Sequence, residues 1–188
     1  MSTPHDPATA IIETIDSRTV YENRWMRVRE DRIRRPSGAE GIYGVVEKPD
    51  FAVIAPIDAG RVHLVQQYRY PVGQRFWEFP QGSWEGQPDI DPTELAIAEL
   101  REETGLVAGH MQAVGHLFAA YGYSTQGYHV YLASQLSAVP GGARDAEEED
   151  LISRAFSLQE VEAMILAGEL KDATTVAVLG LLRMKGLI

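Results

Sequence analysis

Three glutamates, Glu99, Glu102 and Glu103, stand in the run Glu99-Leu100-Arg101-Glu102-Glu103-Thr104-Gly105-Leu106. On an α-helix positions three and four residues apart share a face, and like charges there repel by about 0.2–0.5 kcal/mol per pair. The cluster calls for a counter-charge, and Arg101 projects to the opposite side. A hard divalent cation such as Mg²⁺ supplies it, because Mg²⁺ takes carboxylate oxygens and bridges to substrate phosphates. The chemistry within reach of such a cluster is that of a bound cation meeting a phosphate group. The alternative is a solvated acidic face. Leu95 and Ala96 fall on the side of the glutamates, Leu100 at its edge and Ile97 on the far side. A surface helix segregates charge from apolar residues; this one mixes them, as expected of a helix packed on more than one side that still presents carboxylates to a cleft.

The element that carries the glutamates is well bounded. Asp91-Pro92-Thr93-Glu94 offers an N-cap, a proline at the first helical position and an acid three residues after the cap. Gly105 suits the left-handed residue that closes a helix, so the spacing predicts a helix of about 14 residues from cap to cap. Before it the chain is rich in β-formers. Strands are expected at 19–21, 25–33, 42–46, 51–57 and 61–70, with turns at Pro36-Ser37-Gly38 and Asp58-Ala59-Gly60. Residues 1–9 read as a loose tail, and 76–80 lead into a loop over 81–90. Beyond the helix, strands are expected at 113–120, 128–133 and 151–156, and helices near 158–167 and 173–185. The segment 137–150, with Pro140-Gly141-Gly142 and four consecutive acids, reads as a loop. The fold class is therefore mixed α/β (α+β mixed), and several strands before any helix disfavour a doubly wound parallel sheet.

Composition sets bounds. The chain has 188 residues, 45% hydrophobic and 23% charged, which suits a globular protein with one full core. A net charge of −10 argues against broad nucleic-acid or anionic-membrane binding. There is no cysteine for a disulfide or thiol chemistry. No apolar run approaches the ~20 residues that span a membrane. The first nine residues lack a signal-peptide layout, and a cytoplasmic location is expected. The five histidines show no ligand spacing, and His129 reads as a strand residue.

Gly82 followed by Glu99-Leu100-Arg101-Glu102-Glu103-Thr104-Gly105-Leu106 resembles the signature of the Nudix hydrolases. The resemblance implies cleavage of a nucleoside diphosphate linked to another moiety, with Mg²⁺ or Mn²⁺ as cofactor, on a mixed sheet sandwiched between helices. Two departures stand out. Ala98 occupies the usual arginine position. The spacing from Gly82 to Glu99 is two residues too long, so the early glutamate has no clear equivalent; counting back gives Ile90 and counting forward gives Pro88. Both read as a loop insertion in a working site. The flanks resemble the ADP-ribose pyrophosphatase branch: Gln67-Tyr68-Arg69, Trp77-Glu78-Phe79-Pro80-Gln81-Gly82, and Gly168-Glu169-Leu170-Lys171-Asp172-Ala173 near the C-terminus.

That resemblance assigns expected roles. Glu99, Glu102 and Glu103 are metal ligands, with the backbone carbonyl of Gln81 adding one, and Glu103 is central to catalysis. In the acidic run Glu147-Glu148-Glu149-Asp150, Glu149 and then Glu147 best match the loop acid that activates water. Arg69 is the candidate to pair with a phosphate, its alternative being a surface ion pair. Glu78 is a supporting acid or a ligand, and Trp77 a core residue. Trp25 and Tyr43 are candidates to stack an adenine across a homodimer interface, the β-rich segment 1–46 being a dimerising extension of a hydrolase domain at 47–188. Tyr121 stands where the branch usually carries proline, and a tyrosine there suits dinucleoside polyphosphate hydrolases, the alternative substrate class. A non-catalytic nucleotide sensor on the same fold is the second alternative, and a purely structural acidic protein, which would bind no metal, the third.

Overall fold

The computed structural model describes residues 11–84, 90–139 and 151–188, so Glu147 and Glu149 lie outside the described residues. The chain divides into two compact units.

One unit is the N-terminal segment up to Pro49 together with Ala120–Gln126. Its strands β1 (Glu13–Glu22), β2 (Arg27–Arg34) and β3 (Glu40–Glu47) form an antiparallel sheet in chain order. Charge marks its register. Arg18 faces and pairs with Glu30, Arg27 with Glu47, and Arg34 with both Glu13 and Glu40. Opposite charges directly across a ladder favour one register over its neighbours. Asp31 is buried in this unit, 2.6 Å from Arg29. Tyr43 Oη donates to the Gly122 carbonyl at 2.8 Å, and Val46 N–H to the Tyr123 carbonyl at the same distance. Val20, Tyr21, Trp25, Ile42 and Tyr43 stay exposed.

The other unit, Asp50–Ala119 with Gly127–Ile188, holds the main core. Its strands are β4 (Phe51–Asp58), β5 (Arg61–Arg69), β6 (Gln74–Glu78), β7 (Gln81–Gly82), β8 (Leu106–Phe118), β9 (Gly127–Ala138) and β10 (Ile152–Ser157). The order β10-β5-β4-β9-β8 is mixed: β4 and β9 are parallel, the other neighbours antiparallel, and β6 and β7 pair with β5 and β4. The helices are α1 (Pro92–Thr104), α2 (Leu158–Leu166) and α3 (Ala173–Met184).

Strand β4 shows why its sequence is continuously apolar. Ala52 and Ile54 pack with Leu95, Ala96 and Leu100 of α1, while Val53 and Ala55 pack with Val161, Val178 and Leu182 of α2 and α3. A strand covered on both faces needs no polar alternation. The sheet is thus sandwiched between helices, as expected. The strand expected at 25–33 begins at Arg27, after a turn in which the Asn23 side chain accepts from the Trp25 and Met26 N–H groups. The loop expected over 81–90 opens instead with β7, because Gln81 and Gly82 pair with Val53 and Ala52.

Candidate active site

Helix α1 starts and stops where its caps require. The Asp91 carboxylate accepts from the Thr93 N–H at 2.7 Å, Pro92 opens the first turn, and Gly105 closes the helix at φ 69°. Leu95, Ala96 and Leu100 are buried against β4, and Ile97 is exposed. Glu99 and Glu103 are buried with them, at 5% and 2% exposure. Glu102 is half-buried at the margin of that face and lines a groove with Glu94, Ile97, Ala98 and Arg101.

Two backbone positions of β7 receive the buried pair. The Gln81 N–H donates to Glu103 Oε2 at 2.9 Å. Gly82 lies directly under Glu99: a Cβ there would stand 2.6 Å from the Glu99 Cδ. Only a residue without a side chain allows this approach. The donor set fits a hard divalent cation. It consists of carboxylate oxygens from one helix face, two of the three groups buried, beside a backbone strand.

Gln81 also reaches the other way. Its side-chain Nε2 donates to Glu78 Oε2 at 3.0 Å, and Arg69 Nε donates to the same oxygen at 3.2 Å. Arg69 Nη2 stands 2.7 Å from Glu78 Oε1, a charge contact without hydrogen-bond alignment. Burial pushes the Glu78 carboxyl above its usual range, and the Arg69 charge pulls against that shift. Arg69, Glu78, Gln81 and Glu103 therefore form one connected set, and the arginine is partnered from within the protein. Phe79, between them, is fully buried, and its N–H donates to Thr175 Oγ1 of α3 at 2.8 Å. Thr175 in turn donates to Asp172 Oδ2 at 2.7 Å. Trp77 packs edge-on to Phe156, ring centres 4.9 Å apart, as a core residue.

Trp25, Tyr43 and Tyr121 belong to the N-terminal unit. Trp25 lies under the Arg24 guanidinium at 4.3 Å, and Tyr121 sits exposed in a turn.

One group escaped the sequence reading. The histidines do share a locus: His116 and His129 are direct cross-strand partners on β8 and β9, and both ring Nε2 atoms face Asp50 Oδ2. Linear spacing hides this, because an antiparallel pair joins residues symmetric about its connection.

Residues 12–46 match the family model of the nucleoside diphosphate sugar hydrolase N-terminal domain, and residues 47–178 match that of the NUDIX domain. The chain is 35% identical over 168 residues to the ADP-ribose pyrophosphatase of Mycobacterium tuberculosis (strain ATCC 25618 / H37Rv), covering 88% of this chain and 80% of that one. It is 25% identical over 174 residues to the ADP-ribose pyrophosphatase of Bacillus subtilis (strain 168), covering 92% and 93%. A solved structure titled an ADP compounds hydrolase shares the fold, with a TM-score of 0.83 at 21% identity over 97% of this chain and 98% of that one. With the NUDIX match spanning most of its length and the paired glutamates of α1 seated on β7, the chain belongs to the Nudix hydrolase family.

Proposed function

We propose that this enzyme hydrolyses the diphosphate bond of ADP-ribose or a related nucleoside diphosphate sugar, releasing a nucleoside monophosphate and a sugar phosphate. The observation that carries the reading is the burial of Glu99 and Glu103 against β7, where Gly82 leaves room for one carboxylate and the Gln81 N–H orients the other. The names of the relatives and the nucleoside diphosphate sugar hydrolase match over the N-terminal segment support the substrate class.

Glu99, Glu102 and Glu103, with the Gln81 backbone, would hold Mg²⁺ or Mn²⁺. When bound, such a cation neutralises phosphate charge and lowers the pKa of coordinated water. The protein's own part is orientation. Gln81 ties Glu103 to the Glu78–Arg69 pair, so the carboxylate and the guanidinium are fixed relative to one strand. Arg69, 40% exposed at its side chain, keeps surface toward solvent for a phosphate oxygen. Glu149 or Glu147 supplies the loop acid in this reading. Segment 1–46 serves as a dimerising extension of the hydrolase domain at 47–188, with Trp25 and Tyr43 stacking an adenine across the homodimer interface and Tyr121 as a further substrate-binding residue.

The test is a substrate panel of ADP-ribose, ADP-sugars, GDP-sugars and dinucleoside polyphosphates with Mg²⁺ and with Mn²⁺, products read by chromatography. Cleavage of ADP-ribose to AMP and ribose phosphate is expected. Exclusive turnover of dinucleoside polyphosphates would move the assignment to that class.

A further inference from the structure

The face of the sheet that carries α1 holds a second set of ligand-type side chains. Asp50 Oδ2 lies 2.8 Å from His116 Nε2 and 3.9 Å from His129 Nε2, and the three donor atoms all lie within 4.8 Å of one another. Four-coordinate Zn²⁺ bonded at about 2.0–2.2 Å to nitrogen and oxygen spaces its donors about 3.3 Å apart. The observed spacings bracket that value, and small side-chain rotations reach it.

Three backbone features build the group. The first is a β-bulge. Ala113 pairs with Tyr131 but Gly115 pairs with Val130, so Val114 is an extra residue. Val114 turns into the core shared with α2 and α3, and its carbonyl accepts from Lys185 Nζ at 2.8 Å. Side chains alternate faces along a strand, and one inserted residue reverses the alternation beyond it. Without the bulge His116 would point into the apolar core. With it, His116 comes to the same face as its partner His129. The second feature is Gly127. A Cβ at this position would collide with the His116 ring and stand 3.1 Å from Asp50 Oδ2. The third is the Gly127 N–H, which donates to Asp50 Oδ1 at 2.7 Å and leaves Oδ2 turned to the histidines. The ring planes of the histidines lie at 62°, so they meet edge to face with both Nε2 atoms toward the carboxylate.

We propose that Asp50, His116 and His129 form a binding site for a divalent cation of the zinc class, separate from the glutamates of α1. Two imidazoles and one carboxylate suit Zn²⁺ far better than Mg²⁺, which prefers an all-oxygen shell. Three protein donors leave a fourth position open. The site is placed by the register: Gly82, Ala52, His129 and His116 lie in one row across β7, β4, β9 and β8. With strands about 4.8 Å apart, His129 is about 10 Å from the glycine under Glu99.

The experiment uses the full chain, stripped with chelator and then held in excess Mg²⁺ to satisfy the α1 glutamates. Zn²⁺ is titrated by calorimetry, and Co²⁺ is added separately to read its visible absorption. One Zn²⁺ site is expected, with a Co²⁺ band typical of mixed nitrogen and oxygen ligands. His116→Gln and His129→Gln each weaken Zn²⁺ binding at least ~10-fold, the lower end of what disturbing a metal's surroundings costs. Gly127→Ala weakens it as well, and Glu103→Gln leaves it intact, which separates this site from the one on α1. Thermal unfolding without Zn²⁺ verifies that each variant folds; His116 is exposed, so His116→Gln supplies a folded variant if His129→Gln does not. Absence of Zn²⁺ binding, or equal binding by wild type and the His116→Gln/His129→Gln chain, overturns the proposal.

Discussion

At the scale of single residues, Glu103, held by the Gln81 N–H, and Gly82, which leaves room for Glu99, each yield a test. Glu103→Gln keeps shape and an oxygen for the Gln81 N–H while removing the charge. Turnover is expected to fall at least ~100-fold, as when an electrostatic stabiliser is lost, with the melting temperature unchanged or slightly higher as a like-charge neighbour disappears. Steady-state kinetics beside a thermal melt reads both, and full activity would mark Glu103 as structural. Gly82→Ala pushes a methyl into the Glu99 carboxylate; overpacking of this kind costs about 1–3 kcal/mol, and activity should drop further than that loss of stability explains. Glu78 offers a pH test. Burial holds its carboxyl above the usual 4.5. Between the usual and the raised value the folded chain binds more protons than the unfolded one, so stability falls as pH rises through that window. Glu78→Gln should remove that part of the slope in urea midpoints taken across pH; an unaltered slope would assign it to another group. The three glutamates were legible because helix periodicity is short-range. The reach of Gln81 to both Glu103 and Glu78 was not, since it depends on a two-residue pairing with β4.

At the scale of elements, caps and periodicity located α1 almost to the residue, because its start and stop are local chemistry. Bulges are not local. The extra residue Val114 changes which face His116 occupies; Gly115 beside it is a residue that often marks a bulge, but its presence does not say which residue is extra or which face follows. The link between α3 and the segment entering β7 was likewise invisible, because Thr175 and Phe79 are far apart in the chain. Thr175→Val tests that link. It keeps the shape but leaves the buried Phe79 N–H without its acceptor, which costs about 1–3 kcal/mol. A urea-unfolding midpoint that does not move would show the amide finding another partner. A rise in KM without loss of stability would place the effect in the loop's position instead.

At the scale of the whole molecule, the three-stranded sheet and its β1–β2 turn expose Val20, Tyr21, Trp25, Ile42 and Tyr43, and apolar surface of this kind gains stability when it is covered. The proposed homodimer predicts a doubled mass by sedimentation at micromolar concentration, and a Trp25→Ala, Ile42→Ala chain that sediments as a monomer. A wild-type monomer would remove both the dimer and an adenine site shared between subunits. Among the described residues, no helix is long and apolar enough to cross a membrane. The mixed sheet was legible as a class from the run of strands ahead of α1, but strand order was not, since it rests on pairings between distant segments. The parallel contact of β4 with β9 carries a consequence in time. Phe51 meets Tyr128 and Ala52 meets His129 across a connection that contains α1 and β8, and closing so long a loop is slow compared with forming a helix. Helix α1 can therefore form with its carboxylates still in water, and Glu99 and Glu103 become buried when it packs on β4 and β7. Refolding followed by helix signal should run ahead of recovered catalysis, with activity returning only in the slowest phase.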